Sequence, residues 1–372
     1  MPWQERSIMA ERAEFLVFAQ QEGANIAALC RSFGISRKTG YKWLARAAGG
    51  DPVLADGSRR PHASPWRTPA AVEAQVLALR AQHPAWGGRK LQHALAREGM
   101  LEPPAPSTIT AILRRHGLLT ADPPPRDFVR FAHEAPNELW QMDFMGHRPL
   151  DQGRVHPLTL LDDHSRFALL VAACADERHT TVKAQVSAVF RHYGLPQAIL
   201  TDNGSPWATA GMGGITALEA WLLHLGVAVW HGRPYHPQTQ GKVERLHGTI
   251  AAEVFAQRHL ADLTAAQVRF DAFRTCYNLE RPHEALEYAV PASRYQPSPR
   301  PFPETLPEIV YGPEDAVRIV TVHGSIQWQR HRHFVSRGLV GQPVAVRPMQ
   351  EDGHWAVFFC HQQISTIGPE AV

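Results

Sequence analysis

Residues 233–250 read R-P-Y-H-P-Q-T-Q-G-K-V-E-R-L-H-G-T-I, and this stretch decides how the chain is understood. Pro234 and Pro237 fix φ and push the residues before them away from helix, so the stretch opens as a stiff loop. Gly241 then releases the chain into a run, 242–258, where Val243, Leu246, Ile250 and Val254 recur at helical spacing. Glu244 falls in the first turn, flanked by Lys242 and Arg245. A carboxylate is favoured near a helix N-terminus on dipole grounds alone, so the helix by itself implies no chemistry. Two aspartates upstream change the reading. Asp143 lies in L-W-Q-M-D-F-M-G (139–146) and Asp202 in A-I-L-T-D-N-G (198–204), each within or at the end of an apolar, strand-like run.

Asp143, the T-D-N-G around Asp202 and the P-Q-T-Q-G-K-V-E-R around Glu244 together resemble the triad of the DDE integrase/transposase superfamily. The pattern is most like that of bacterial insertion-sequence transposases, whose core is related to retroviral integrase. It covers most of 130–295, and its two later blocks are specific in combination. The resemblance implies that Asp143, Asp202 and Glu244 are the catalytic residues and the ligands of Mg²⁺ or Mn²⁺, two ions per active site, with Asp143 shared between them. The chemistry suits the residues: phosphodiester cleavage needs an activated oxygen nucleophile and a stabilised leaving alkoxide, which two cations about 3.5–4 Å apart provide. Mg²⁺ keeps several waters, so a few carboxylates suffice to hold it. Forty-one residues separate Asp202 from Glu244, more than is usual in the retroviral relatives. The Gly-rich G-M-G-G at 211–214 is where the extra length is expected.

A chain of 372 residues exceeds one ordinary core, which predicts about two to four domains. Apolar runs are too short for a membrane span, and the charged N-terminus predicts no signal peptide. Cys30, Cys174, Cys276 and Cys360 lack C-x-x-C pairing and predict reduced thiols in a cytoplasmic protein. Twenty-one histidines invite a metal reading, but none pairs with cysteine at zinc-finger spacing. Residues 1–125 hold sixteen Lys and Arg against ten Asp and Glu; 126–300 hold seventeen against eighteen, and 301–372 five against seven. The basic excess therefore sits in the N-terminal third, which suits a polyanionic partner.

In that third, 11–21, 26–33 and 36–48 read as helices, with Asn25 and Ser36 as N-caps and Gly34 as the turn. This is a helix-turn-helix plan, and the block L-C-R-S-F-G-I-S-R-K-T-G-Y-K-W-L (29–44) resembles the N-terminal helix-turn-helix of the same transposases. Arg37, Lys38 and Lys42 are the expected DNA contacts, with Trp43 and Leu44 facing the core. A linker, 49–65, contains Arg59 and Arg60. In the second helical module, 66–121, Pro69 opens one helix, W-G-G-R-K leads another that ends at Gly99, and Ser107 caps a third. It resembles a winged-helix-like unit, and Arg89, Lys90, Arg114 and Arg115 are its candidate DNA contacts. Pro-rich 122–129 is a second tether.

From 130 to 296 strands alternate with helices: 139–147, 154–161 and 167–173 as strands, then helix 180–193, strand 198–201, helix 215–225, strand 227–230 and the Glu244 helix. Periodicity supports a mixed α/β layer fold; the resemblance makes it ribonuclease-H-like. Lys242, Arg245 and His247 are expected to face DNA near Glu244 or to form a solvated basic face, and His236 and Gln238 to border the cleft or to cap the helix. Asp162, Asp163 and Arg166, in L-D-D-H-S-R, read as a hairpin turn rather than as ligands. A helix at 264–279 leads into Y-N and R-P-H-E-A-L, which read as packing with a possible oligomer contact. Pro-rich 291–307 reads as a linker, bounded at 297–312, and the short β-runs of 313–372 predict a small barrel. Arg330, His331, Arg332 and His333 are further candidate DNA contacts.

The fold class expected is therefore multidomain: all-α helix-turn-helix modules, an α/β ribonuclease-H-like core and a small β-barrel. The resemblance implies a bacterial, nucleoid-associated DNA transposase that cleaves element ends and joins their 3′-hydroxyls to target DNA. Its partners would be double-stranded DNA, at terminal inverted repeats and target sites, and further copies of itself in a dimer or higher multimer. The alternative is an inactive, transposase-derived DNA-binding regulator, whose expected sign is a broken triad.

Overall fold

A computed structural model describes residues 7–49, 56, 67–119, 132–204, 206–207, 214–232, 241–256 and 259–368. The loop at 233–240, with His236 and Gln238, lies outside them, as do 211–213, nearly all of the first linker and the whole of the second. The chain divides into two compact units, Met1–Arg67 and Thr68–Val372.

In the first unit, Ser7, Asn25 and Ser36 each accept a backbone N–H and so start α1 (Ile8–Ala19), α2 (Ile26–Ser32) and α3 (Arg37–Ala48). Phe15, Leu16, Cys30 and Trp43 form their core. A Cβ at Gly40 would collide with Cys30 and the Phe15 ring, which shows how closely α3 is seated.

The second unit opens with α4 (Ala70–Gln82), α5 (Gly88–Arg97) and α6 (Pro106–Arg115), packed around Val76, Trp86, Leu91, Ile109 and Leu113. Two starts differ from expectation: Pro69 is the residue before α4, and Pro106 rather than Ser107 begins α6. Proline has no N–H to leave unpaired, so it occupies a helix start without a side-chain cap.

The central sheet holds β1 (Leu139–Phe144), β2 (Arg148–Pro149), β3 (Arg154–Asp162), β4 (Ala168–Cys174), β5 (Ala198–Thr201) and β6 (Ala228–His231). Its order is β2-β3-β1-β5-β6, with β4 on the other side of β3. β1, β3 and β4 run antiparallel, and β5 and β6 run parallel to β1. The run 139–147, expected as one strand, ends at Phe144, and Gly146 takes a positive φ of 75° before β2. Alternation sends Trp140 and Met142 to one face, against α7 (His179–Tyr193) and α8 (Ala217–His224). On the opposite face Val155, Leu161 and Val171 pack on α9 (Gly241–Ile250) and α10 (Leu263–Leu279). After α9 the chain loosens into a π-helical turn, Ala251–Phe255, instead of continuing as α-helix.

β4 is an edge strand, and α10 covers that edge with polar side chains. Gln267 accepts from Ala173 N at 2.8 Å and donates to Val171 O at 3.2 Å. Arg274 donates to Leu169 O, and Asn278 both accepts from Ala168 N and donates to Ala168 O. The Y-N of the sequence is thus a packing element. Pro-rich 291–307 is laid on the core rather than hanging free: Arg300 donates to the carbonyls of Pro196, Leu225 and Gly226, and Phe302 packs against Phe190 and Trp221.

The tail corrects the expectation of a barrel. β7 (Ala316–Ile319), β10 (Pro343–Pro348), β11 (Trp355–Phe359) and β12 (Gln362–Ile367) form an open antiparallel sheet, ordered β12-β11-β10-β7. β8 (Ser325–Trp328) and β9 (His331–Phe334) form a separate hairpin. Closure would require β7 to pair with β12, and three intervening strand pairings leave them at opposite edges. The tail packs on α8 and the turn before it: Val320, Ile326 and Leu339 share a core with Ile215, Ala220 and Leu223. Ser336 Oγ donates to Ile215 O at 2.7 Å, and a Cβ on Gly338 would overlap the Ile215 and Thr216 backbone. Gly338→Ala is expected to cost about 1–3 kcal/mol by forcing that seat apart, read as a lower midpoint in chemical denaturation.

Candidate active site

Gln141 and Asp143 lie two apart on β1 and so share the face turned toward α9. The Asp143 side chain is 19% exposed. Burial first, then the charge of Asp202, pushes its carboxyl up to about 7; Glu244 and Glu177 push the same way, and the Phe144 N–H opposes them. Asp202 and Glu244, from separate segments, thus lie near enough to Asp143 for their charges to act on it, although the three side chains are not drawn together at ligand spacing. Asp202 follows the last residue of β5. Its Oδ1 accepts from Gly204 N at 3.1 Å, and Asn203 Nδ2 donates to Gly232 O at 2.7 Å, tying the exit of β5 to that of β6. Glu244 is exposed in the first turn of α9.

A buried relay holds α9 in place. Val243 N donates to Gln141 Oε1 at 3.2 Å, and Gln141 Nε2 donates to Asp163 Oδ1 at 2.8 Å. Lys242 Nζ pairs with Asp163 Oδ1 at 2.5 Å and donates to its carbonyl. Asp163 thus organises the site without needing to be a ligand. Asp162 serves the turn itself, accepting from Ser165 N, Ser165 Oγ and Asn137 N.

Thr159 faces Asp143 across the β1–β3 pair. Its hydroxyl donates to Asp143 O at 3.0 Å, so its oxygen accepts from His247 Nε2 at 2.8 Å. That bond puts the imidazole proton on Nε2 and leaves Nδ1 toward Asp143 Oδ2, 3.9 Å away. Burial, then Arg148, pushes His247 down to about 4, so the ring is neutral.

Residues 133–237 and 225–291 match the integrase core domain, and 315–369 match the C-terminal domain of IS481 family transposases. Residues 9–55 and 39–113 each match a homeodomain-like domain. The chain is 26% identical over 227 residues to an uncharacterised 31.7 kDa protein of insertion element IS407 from Burkholderia multivorans, covering 59% of this chain and 79% of that one. It is 26% identical over 161 residues to a protein of insertion element IS476 from Xanthomonas euvesicatoria, of which it spans 45%. Together these matches support a DDE insertion-sequence transposase with an integrase-type core. Retroviral polyproteins also align, among them the Pro-Pol polyprotein of simian foamy virus type 3, 29% identical over 115 residues, 31% of this chain and 9% of the polyprotein. Among solved structures, the simian T-cell lymphotropic virus intasome in complex with PP2A regulatory subunit B56 gamma aligns over 80% of this chain and 100% of that one, at 18% identity and TM-score 0.38. The HTLV-2 integrase catalytic core in complex with magnesium aligns over 44% and 99%, at 14% identity and TM-score 0.34.

The basic residues expected to face DNA fall into different settings. Arg37, Lys38 and Lys42 line the exposed side of α3, with Trp43 buried behind them. Arg114 is exposed, whereas Arg115 pairs with Glu73 at 2.7 Å and Arg89 with Glu284 at 3.2 Å. Lys90 is half-buried, and burial lowers it to about 8. Lys242 and His247 turn inward to Asp163 and Thr159, while Arg245 is exposed. Arg330, Arg332 and His331 stand exposed on and beside the β8–β9 hairpin. Gln141 and Thr159 were missed from sequence; a polar residue alternating with apolar ones in a buried strand is the signal that marks Gln141.

A carboxyl held protonated up to about 7, against an ordinary value of 3.8, stabilises the fold below that ordinary value and loses the contribution as pH rises through 7. In the presence of chelator, Asp143→Asn should therefore gain stability over the native chain as pH climbs through this window, by about 2–4 kcal/mol at the alkaline end. Paired thermal melts read the difference, and a gap that does not change with pH contradicts the site as described.

Proposed function

We propose that the chain is a DNA transposase that cleaves the ends of its element and joins their 3′-hydroxyls to target DNA, with Asp143, Asp202 and Glu244 as its catalytic, metal-holding residues. The observation that carries this reading is the placement of Asp143 on β1, Asp202 at the end of β5 and Glu244 in the first turn of α9, within an integrase core match, with the charges of Asp202 and Glu244 acting on Asp143. An all-oxygen, acidic donor set suits Mg²⁺ or Mn²⁺. Two bound ions would supply activation of the attacking oxygen and stabilisation of the leaving one.

The chain's own residues set the stage for that chemistry. Gln141, Asp163 and Lys242 hold the helix bearing Glu244, and Thr159 pins the backbone at Asp143. His247, neutral, adds no positive charge that would compete with a cation. The exposed basic face of α3 fits the role of a recognition helix on duplex DNA. Joining two ends requires two sites, so the active form is a multimer assembled on DNA. A regulator without activity is the less favoured reading, because its expected sign is a broken triad and Asp143, Asp202 and Glu244 are all present.

The test uses the full chain, duplexes carrying the sequences that flank its coding region, a supercoiled target plasmid and Mg²⁺ or Mn²⁺. Asp143→Asn, Asp202→Asn and Glu244→Gln should each lower cleavage and joining by at least about 10²–10³-fold while duplex binding persists. Activity surviving all three changes sinks the triad; a wild-type chain that binds ends but never cuts them favours the regulator. Lys42→Ala should weaken duplex binding across sequences and reduce the salt slope of log K by about one, measured by titration at several ionic strengths.

A further inference from the structure

We propose that His83, Cys276 and Glu280 form a second metal site, for a borderline-soft divalent ion such as zinc, which staples the α4–α6 module to α10. This inference stands independently of the transposition reading.

The imidazole, thiol and carboxylate ligand atoms all lie within 4.8 Å of one another. His83 Nδ1 and Cys276 Sγ are 3.8 Å apart. Zinc–sulfur and zinc–nitrogen bonds of about 2.3 and 2.0–2.1 Å at the tetrahedral angle give an edge of about 3.6 Å, so these two groups already stand near ligand spacing. Cys276 and Glu280 are four apart at the C-terminal end of α10 and share one face. Glu280 is exposed, and its carboxylate already accepts a hydrogen bond from the Cys276 thiol.

His83 is the residue that ends α4, and its ring stacks on Trp86 with centroids 3.7 Å apart and planes at 8°. Packing therefore sets the imidazole's orientation before any ion arrives. Burial lowers the His83 pKa, which keeps the ring in the neutral, ligating form, and the charges of Glu280, Glu253 and Glu98 favour a cation beside it. Burial, followed by Glu280 and Glu253, pushes the Cys276 thiol up to about 12, so the metal-free thiol keeps its proton and binding releases it to solvent. Sulfur and imidazole select against Mg²⁺, which separates this site from the carboxylate site in chemistry as well as position.

The interface it would reinforce is already present. Arg97 donates to the carbonyls of Leu279 and Glu280 at the end of α10, and His93 stacks on Tyr288 with centroids 4.1 Å apart. His83 and Cys276 are 193 positions apart, far beyond any motif spacing.

The test is a Co²⁺ titration of metal-free, reduced, full-length protein. The expected result is a thiolate-to-cobalt charge-transfer band that saturates near one ion per chain, is displaced by zinc, and persists in an Asp143→Asn/Asp202→Asn variant. Cys276→Ser should abolish the band, while His83→Gln and Glu280→Gln should each weaken cobalt binding about 10–100-fold. Absence of the band in the wild type, or its survival in Cys276→Ser, overturns the proposal. If the serine variant fails to fold, the other two carry the test, and cobalt affinity unchanged in both overturns it equally.

Discussion

Asp163 is a carboxylate whose side chain is 1% exposed, and a buried charge is tolerable only if it is matched by a cation and hydrogen-bond donors. The core satisfies it with Lys242, Gln141 and the His133 N–H. Each donor comes from a different segment: the chain entering the sheet, β1, and the start of α9. One buried charge thus fixes where three parts of the chain meet. Gln141 extends the constraint, because the same amide that serves Asp163 also accepts from Val243 N at the helix start. The position of Glu244 follows from this buried relay more than from any contact of its own.

The site beside it is built on an opposite principle. Asp143 is held largely out of water, and burial first, then the charges of Asp202 and Glu244, push its carboxyl upward. Thr159 holds the backbone of Asp143, Asn203 holds the strand end at Asp202, and apolar packing by Leu246 and Ile250 holds α9. Asp163 is matched by a cation and donors, whereas Asp143 is raised by burial and by neighbouring carboxylates.

Local signals made much of the architecture legible. Asn25 and Ser36 cap the helices they were expected to cap, and A-I-L-T forms the expected short strand. The helix after Gly241 begins where the glycine releases the chain. Signals that depend on distant partners did not show. Lys242 reads as a surface cation until Asp163, 79 positions away, is found beside it. β9 and β12, H-R-H-F and Q-Q-I-S-T-I, are too polar to register as strands and exist because a neighbouring strand pairs with them. Short β-runs separated by turns are equally compatible with a barrel and an open sheet, because closure is a property of strand order and leaves no mark in the runs themselves.

The covering of β4 by α10 has a consequence for how copies of this core can associate. An edge strand ordinarily offers its free N–H and C=O groups to any passing strand. Here Gln267, Arg274 and Asn278 already occupy Ala168, Leu169, Val171 and Ala173, so a helix plays the part of the missing neighbour. Strand-by-strand extension of the sheet across β4 would first have to strip those bonds from α10. Contacts between copies are thereby steered to helices, loops and the far side of the sheet, where β6 carries the half-exposed Trp230. Growth of the sheet across β4 is in this way blocked by the chain's own helix.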